Sequence, residues 1–178
     1  ARRRPCNDMA MALPGNLRRG YSGRRVVPRP HQVDAVNCFF RQASAAAEEG
    51  RPVRLQLASG TGKTYIFAMI IHMDLQKNPY SRYVVFVPTV TRAQAVADAL
   101  AAFGIRSGVA RAGGRGVSAS VPVVVCPYKY AASLRSSKRF RIKICDEARL
   151  LSRKSLAMVH HGVTAQRVVH VSTEFSPH

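Results

Sequence analysis

Residues Ala58-Ser59-Gly60-Thr61-Gly62-Lys63-Thr64 follow the apolar segment 53–57 and precede a helical run. Glycines at 60 and 62 let the backbone curl so that its N–H groups point inward at an anion. A helix starting there turns the positive end of its dipole on the same anion. Lys63 is placed to reach the outer phosphates of a nucleoside triphosphate, and the Thr64 hydroxyl suits Mg²⁺. The full phosphate-loop pattern also has glycine six positions before the lysine, where this chain has Leu57. Without an acidic partner the same string is a glycine turn joining a strand to a helix.

That partner is Asp146-Glu147. After Asp98 the chain carries only three acids, Asp146, Glu147 and Glu174. Two of them are adjacent and directly follow the apolar stretch Ile142-Lys143-Ile144-Cys145. Carboxylates scattered for solubility would lie on helix faces, so a pair at a strand end requires another reason. Asp146 is expected to hold the metal, directly or through water, and Glu147 to orient and deprotonate an attacking water.

Charge is the second large signal. The formal net charge is +19 over 178 residues, and 22 of the 28 basic residues are arginine. Such an excess predicts a polyanionic partner, and arginine suits bidentate phosphate contacts. Nucleic acid fits better than an anionic membrane, since no amphipathic anchor and no bilayer-length apolar run is present. The cysteines Cys6, Cys38, Cys126 and Cys145 show no C-x-x-C spacing, so reduced, buried thiols are expected rather than a zinc site. The adjacent His160 and His161 lack a nearby carboxylate or cysteine and are read as ordinary histidines.

Two regions differ in character. Residues 1–29 carry eight arginines against the single acid Asp8, broken by proline and glycine. This arm is expected to order only on a polyanion. The chain opens on Ala1, as a processed or trimmed chain does, and an arginine-rich start is compatible with organelle import. The expected location is intracellular, with a mitochondrial or other organellar matrix, nucleus and cytoplasm all open. Residues 30–178 alternate regularly. Helices are expected at 30–49, 63–77 and 91–103, and strands at 53–57, 83–87, 121–126, 140–145 and 167–171. Residues 111–120 read as a glycine-rich loop. Alternation of this kind makes an α/β fold, a parallel sheet covered on both faces, with ligands at the carboxyl ends of its strands.

Read in order, Arg29-Pro30-His31-Gln32, the loop 57–64, Val87-Pro88-Thr89, Val124-Val125-Cys126-Pro127-Tyr128 and Asp146-Glu147-Ala148-Arg149 resemble the motifs of superfamily 2 helicases. The resemblance is to the first RecA-like lobe, of the restriction-enzyme-subunit type, and covers residues 29–175. It implies a P-loop NTPase with a three-layer sandwich behind the basic arm, and ATP with Mg²⁺ as cofactors. It implies Ser59, Gly60, Thr61, Gly62, Lys63 and Thr64 around the nucleotide, Thr64 and Asp146 on the metal, and Lys63, Asp146 and Glu147 in catalysis. Gln32 matches the residue that reads adenine, or is a solvated residue at a helix start. Thr89 and Arg92 match a segment on the nucleic-acid backbone, or else a helix cap and an exposed arginine. Tyr128 falls where relatives contact a strand, or simply packs.

Two positions depart from the family: Arg149 stands where His or Asp is usual, and Ser172-Thr173-Glu174 where Ser/Thr-Ala-Thr is usual. The second segment links hydrolysis to strand separation, and the arginines that complete the ATP site come from a second lobe. The expectation is an ATP-binding lobe acting on RNA or DNA, incomplete without a second lobe. The alternative is a non-unwinding, RNA-binding component of a ribonucleoprotein, such as an organellar ribosome or its assembly intermediate.

Overall fold

A computed structural model describes residues 27–114, 118–134, 139–150 and 153–174. Nearly all of the basic arm expected at 1–29 lies outside the described residues. Six strands, β1 (Val53–Gln56), β2 (Tyr83–Val87), β3 (Ser107–Val109), β4 (Val123–Pro127), β5 (Phe140–Asp146) and β6 (Ala165–Ser172), form one sheet in the order β1-β6-β5-β2-β4-β3. Every pairing is parallel. Parallel neighbours need long crossovers, and α2 (Lys63–Lys77), α3 (Val90–Ala102), the 3₁₀ helix Tyr128–Leu134 and α4 (Arg153–Gly162) lie on them, while α1 (Pro30–Glu48) precedes β1 and packs against α2, β1 and β6.

The two faces of the sheet are read directly from the alternation in β2. Tyr83, Val85 and Val87 pack with α1, α2 and α3, whereas Val84 and Phe86 pack with residues 128–134 and α4. All five residues of β2 are buried, as a central strand covered on both faces requires. Burying each such side chain contributes about 1.5–3 kcal/mol, so β2 anchors both halves of the core. Helix α2 is buried from Ile66 to Ile71, wedged between α1 and α3 over the sheet. The edge strand β1 differs: Val53 and Leu55 face the core while Arg54 and Gln56 are exposed.

Local chemistry sets where these elements begin and end. Pro30 opens α1 with its fixed φ, and Gly50 at φ 66° releases the chain toward β1. Thr89 caps α3, its Oγ1 accepting the Arg92 N–H at 3.1 Å. At the far end of the sheet, the buried Asp74 on α2 accepts from the Tyr83 hydroxyl at 2.7 Å and pairs with Arg141 and Arg167. Lys143, 1% exposed, donates to the Val159 and Val163 carbonyls at 2.8 Å each, satisfying the C-terminal end of α4. Cys126 and Cys145 are buried thiols pushed up to about 12 by burial, as expected of reduced structural cysteines.

The expected strand at 121–126 starts two residues later. The Val121 N–H turns back to Ser118, and Pro122 offers only its carbonyl, to Tyr83. The expected strand at 167–171 is extended to Ala165–Ser172 by pairing with both β1 and β5. The three-residue β3 has no apolar alternation to announce it and exists through its pairing with β4.

Candidate functional site

The sheet order brings three strand ends together. β6 lies between β1 and β5, so the ends of β1, β6 and β5 are successive neighbours. The Leu57 N–H donates to the Ser172 carbonyl at 2.9 Å, and the Glu147 N–H to the Val171 carbonyl at 2.7 Å. The glycine loop, the segment Ser172-Thr173-Glu174 and the Asp146-Glu147 pair are thereby tied into one surface at the carboxyl edge.

The loop is curled as its glycines allow. Gly60 and Gly62 take φ of 78° and 77°, and the Thr61 Oγ1 donates back to the Ala58 carbonyl at 2.8 Å. A Cβ at Gly62 would lie 2.4 Å from the Gln32 Nε2, whereas one at Gly60 would meet nothing within 4 Å. Gly60 is therefore required by φ alone, and Gly62 by φ and by close approach. Leu57, where the phosphate-loop pattern has its first glycine, still continues β1. Its side chain packs on the α1–α3 core and its carbonyl accepts from Lys63 Nζ at 3.1 Å. The curl starts after it, so no glycine is needed there.

Lys63 also donates to Glu147 Oε1 at 2.8 Å, a pair only 7% and 16% exposed. Glu147 Oε2 accepts from Ser172 Oγ at 3.1 Å, and from the Thr173 N–H and Arg149 Nε at 3.4 Å each. Burial, the largest single influence, pushes the Glu147 carboxyl up. Hydrogen bonds from Lys63 and Ser172, the Lys63 charge and the Thr173 N–H together outweigh it and hold the carboxyl below its ordinary value. Glu147 is the one non-glycine residue with positive φ among the described residues, at 50°. That conformation costs about 1–2 kcal/mol and is retained by these contacts.

Asp146 is 1% exposed. Its Oδ2 accepts from Arg92 Nε at 3.1 Å, while its Oδ1 is buried without a hydrogen-bond partner. Burial raises its carboxyl, and the adjacent Arg92 charge opposes that rise. A buried carboxylate oxygen with no donor is what a cation site presents, so Asp146 fits a divalent metal. A cavity of about 320 Å³ opens above, lined by Ser59, Gly60, Lys63, Pro88, Thr89, Arg92, Asp146 and Glu147.

The structure therefore gathers Ser59, Gly60, Lys63, Asp146 and Glu147 as the sequence reading requires. Thr64 is half-buried and, with Gly62 and Tyr65, lines a neighbouring cleft of about 410 Å³ between α2 and α3. Gln32 is buried beneath the loop rather than solvated: Oε1 accepts the Arg29 N–H at 2.9 Å and Nε2 donates to the Thr61 carbonyl at 3.0 Å. Thr89 and Arg92, matched in sequence to a segment on the nucleic-acid backbone, stand on the cavity wall, one capping α3 and the other paired with Asp146. Tyr128 takes the packing role. It is 8% exposed, its ring stacks on Phe86 at 5.7 Å, and its hydroxyl donates to the Asp146 carbonyl at 2.9 Å.

Sequence reasoning treated Ser172-Thr173-Glu174 and Arg149 as departures and missed their contacts. Ser172 is fully buried against Glu147, and Arg149 Nη2 donates to Thr173 Oγ1 at 3.0 Å, joining the acidic segment to the end of β6. Glu174 is exposed and does not line the cavity. The hydroxyl at 172, shared with the family pattern, was the available sign.

The UvsW helicase of bacteriophage T4 is similar in structure, with 21% identity, TM-score 0.64 and coverage of 88% of this chain and 56% of that one. The SWI2/SNF2 ATPase core of Sulfolobus solfataricus, solved with double-stranded DNA, aligns at TM-score 0.67 with 13% identity over 84% and 32%. The Type ISP restriction-modification enzyme LlaGI, solved with a DNA substrate mimic, aligns at 0.64 with 16% identity over 86% and 18%. This chain thus spans 18% to 56% of those chains. The comparison with curated proteins gave no match. Residues 25–172 match the family model described as the res subunit of type III restriction enzymes. With that match over most of its length, and a parallel six-strand sheet of the same kind, the chain belongs to this family as a RecA-like helicase lobe of superfamily 2.

Proposed function

We propose that this lobe binds ATP with Mg²⁺ on the loop 58–64 and, completed by a second lobe, drives movement along nucleic acid. The observation that carries the reading is the convergence of Lys63, Glu147 and Asp146, whose buried Oδ1 has no hydrogen-bond partner, around one cavity beside the glycine loop. Lys63 exchanges its carboxylate partner for phosphate oxygens, and the loop N–H groups and the start of α2 receive the rest of the anion. Asp146, with Thr64 from the adjoining cleft, is the residue set for the metal, which when bound neutralises phosphate charge. Glu147, held by Ser172 and Thr173, is placed to orient a water and accept its proton. Gln32 bridges the loop to the start of α1, where an adenine edge would meet it.

The partner is DNA or RNA, met through phosphate contacts by a chain of net charge +19. Neighbours solved with double-stranded DNA and with a DNA substrate mimic support DNA. Among the described residues no helix is long and apolar enough to cross a membrane.

Calorimetric titration of ATP–Mg²⁺ into the chain and into Lys63→Ala tests the reading. The expected result is binding weakened about 10–150-fold in the variant, the worth of a hydrogen bond to a charged group. No binding to the unaltered chain, or identical binding to both, overturns it.

A further inference from the structure

Arg92 is the charged group on the cavity wall to which the proposed chemistry gives no work. It is the third residue of α3, and its own N–H is taken by the Thr89 cap, so its backbone is fixed at the cavity rim. Its side chain is 38% exposed while its partner Asp146 is 1% exposed. The guanidinium therefore straddles the boundary between a buried carboxylate and the open cavity. Nε serves Asp146 at 3.1 Å, and the two Nη groups of the same planar fork are the donors best shaped for a phosphate.

The rest of the cavity points the same way. Ser59, Gly60 and Lys63 form one wall and Pro88, Thr89 and Arg92 another, with Asp146 and Glu147 also lining it. An anion seated on the loop meets Lys63 from one side and Arg92 from the other. Arg92 also neutralises the same carboxylate that a divalent cation would take, so the cation and the guanidinium repel each other there. A terminal phosphate offers the guanidinium a second anion within the same cavity.

We propose that Arg92 is a nucleotide-contacting residue supplied by this lobe itself, which pairs with Asp146 and grips the terminal phosphate of a bound nucleoside triphosphate. The inference rests on the ATP–Mg²⁺ reading above and adds to it a residue that distinguishes triphosphate from diphosphate. This duty differs from contact with a nucleic-acid backbone, and it makes the lobe able to sense hydrolysis before any second lobe is engaged.

The test is calorimetry with ATP–Mg²⁺ and with ADP–Mg²⁺ on the unaltered chain, Arg92→Met, Arg92→Lys and Lys63→Ala. Arg92→Met is expected to lose about 10-fold or more in ATP affinity while its ADP affinity stays within about threefold. Arg92→Lys, retaining charge without the fork, is expected to fall between. Lys63→Ala is expected to weaken ATP through a different contact and is the control for a folded, compromised site. Equal losses for ATP and ADP in Arg92→Met, or tighter binding of both, overturn the proposal and leave Arg92 a counter-ion of Asp146 only. Should Arg92→Met fail to fold, an unchanged ATP-to-ADP ratio in Arg92→Lys overturns it equally. An unaltered chain that binds neither nucleotide overturns the ATP reading itself, and the proposal with it, a result distinct from the other outcomes.

Discussion

Replacing Glu147 by glutamine probes the cavity where its two proposed duties conflict. In the structure the Glu147 carboxylate occupies Lys63 at 2.8 Å, in a pair largely shielded from water. A triphosphate must take Lys63 away from it. A hydrogen bond to a charged group in such a setting is worth about 1.5–3 kcal/mol, roughly twice a neutral one. Glutamine keeps the shape and an oxygen that accepts from Lys63, so about half of that hold, roughly 1 kcal/mol, is relieved. Removing a negative charge beside the γ-phosphate acts in the same direction. Glu147→Gln should therefore bind ATP–Mg²⁺ about 5-fold more tightly by calorimetry. An amide accepts no proton, so single-turnover hydrolysis with nucleic acid present should fall about 100-fold or more. Because the contacts of Glu147 hold its carboxyl below the ordinary glutamate value of 4.5, it stays ionised through neutral and mildly acidic solution. Weaker ATP binding in the variant, or undiminished hydrolysis, would refute the view that Glu147 guards Lys63 and acts as base.

Gly60→Ala and Gly62→Ala form a matched pair, since both glycines share positive φ but only Gly62 has a neighbour at 2.4 Å. Each should lose about 1–2 kcal/mol to backbone strain, with Gly62→Ala losing more, and a Gln32→Ala background should abolish the difference in denaturant unfolding. His170, with its Nε2 buried and unpartnered, is held at about 4 by burial, with the nearby His160 and Lys143 charges adding to the effect. The unfolded chain binds this proton from about pH 6.5 and the folded chain only near 4, so stability is full above 6.5 and falls as pH drops through this window. The loss is on the order of 3 kcal/mol, and His170→Phe should flatten the profile; equal slopes in both proteins would contradict this. Removing residues 1–26 takes away seven arginines and should lower the slope of log affinity for a polynucleotide against log salt by up to about 5 for a single strand and about 6 for duplex DNA. An unchanged slope would show that the arm serves some other contact.

Much of the site was legible because its chemistry is local. The loop 58–64 declares itself through two glycines, a lysine and a hydroxyl in seven residues, between a strand and a helix. Asp146 and Glu147 stood out because the second half of the chain is almost free of acids. The burial of β2 and the starts of α1 and α3 follow from apolar runs, Pro30 and Thr89, which act within a few residues. Pairings over long stretches of chain were not legible. Lys63 meets Glu147 across 84 residues and Arg92 meets Asp146 across 54, distances over which no periodicity carries information. The insertion of β6 between β1 and β5 decides that Ser172, which keeps the hydroxyl of the family pattern, is buried against Glu147. Tyr128 had two readings until the packing on Phe86 and the hydroxyl bond to the Asp146 carbonyl settled it. Residue types determined which chemistry this chain can do. Strand order, which depends on backbone pairing and on burial of both sheet faces together, decided which of those residues meet.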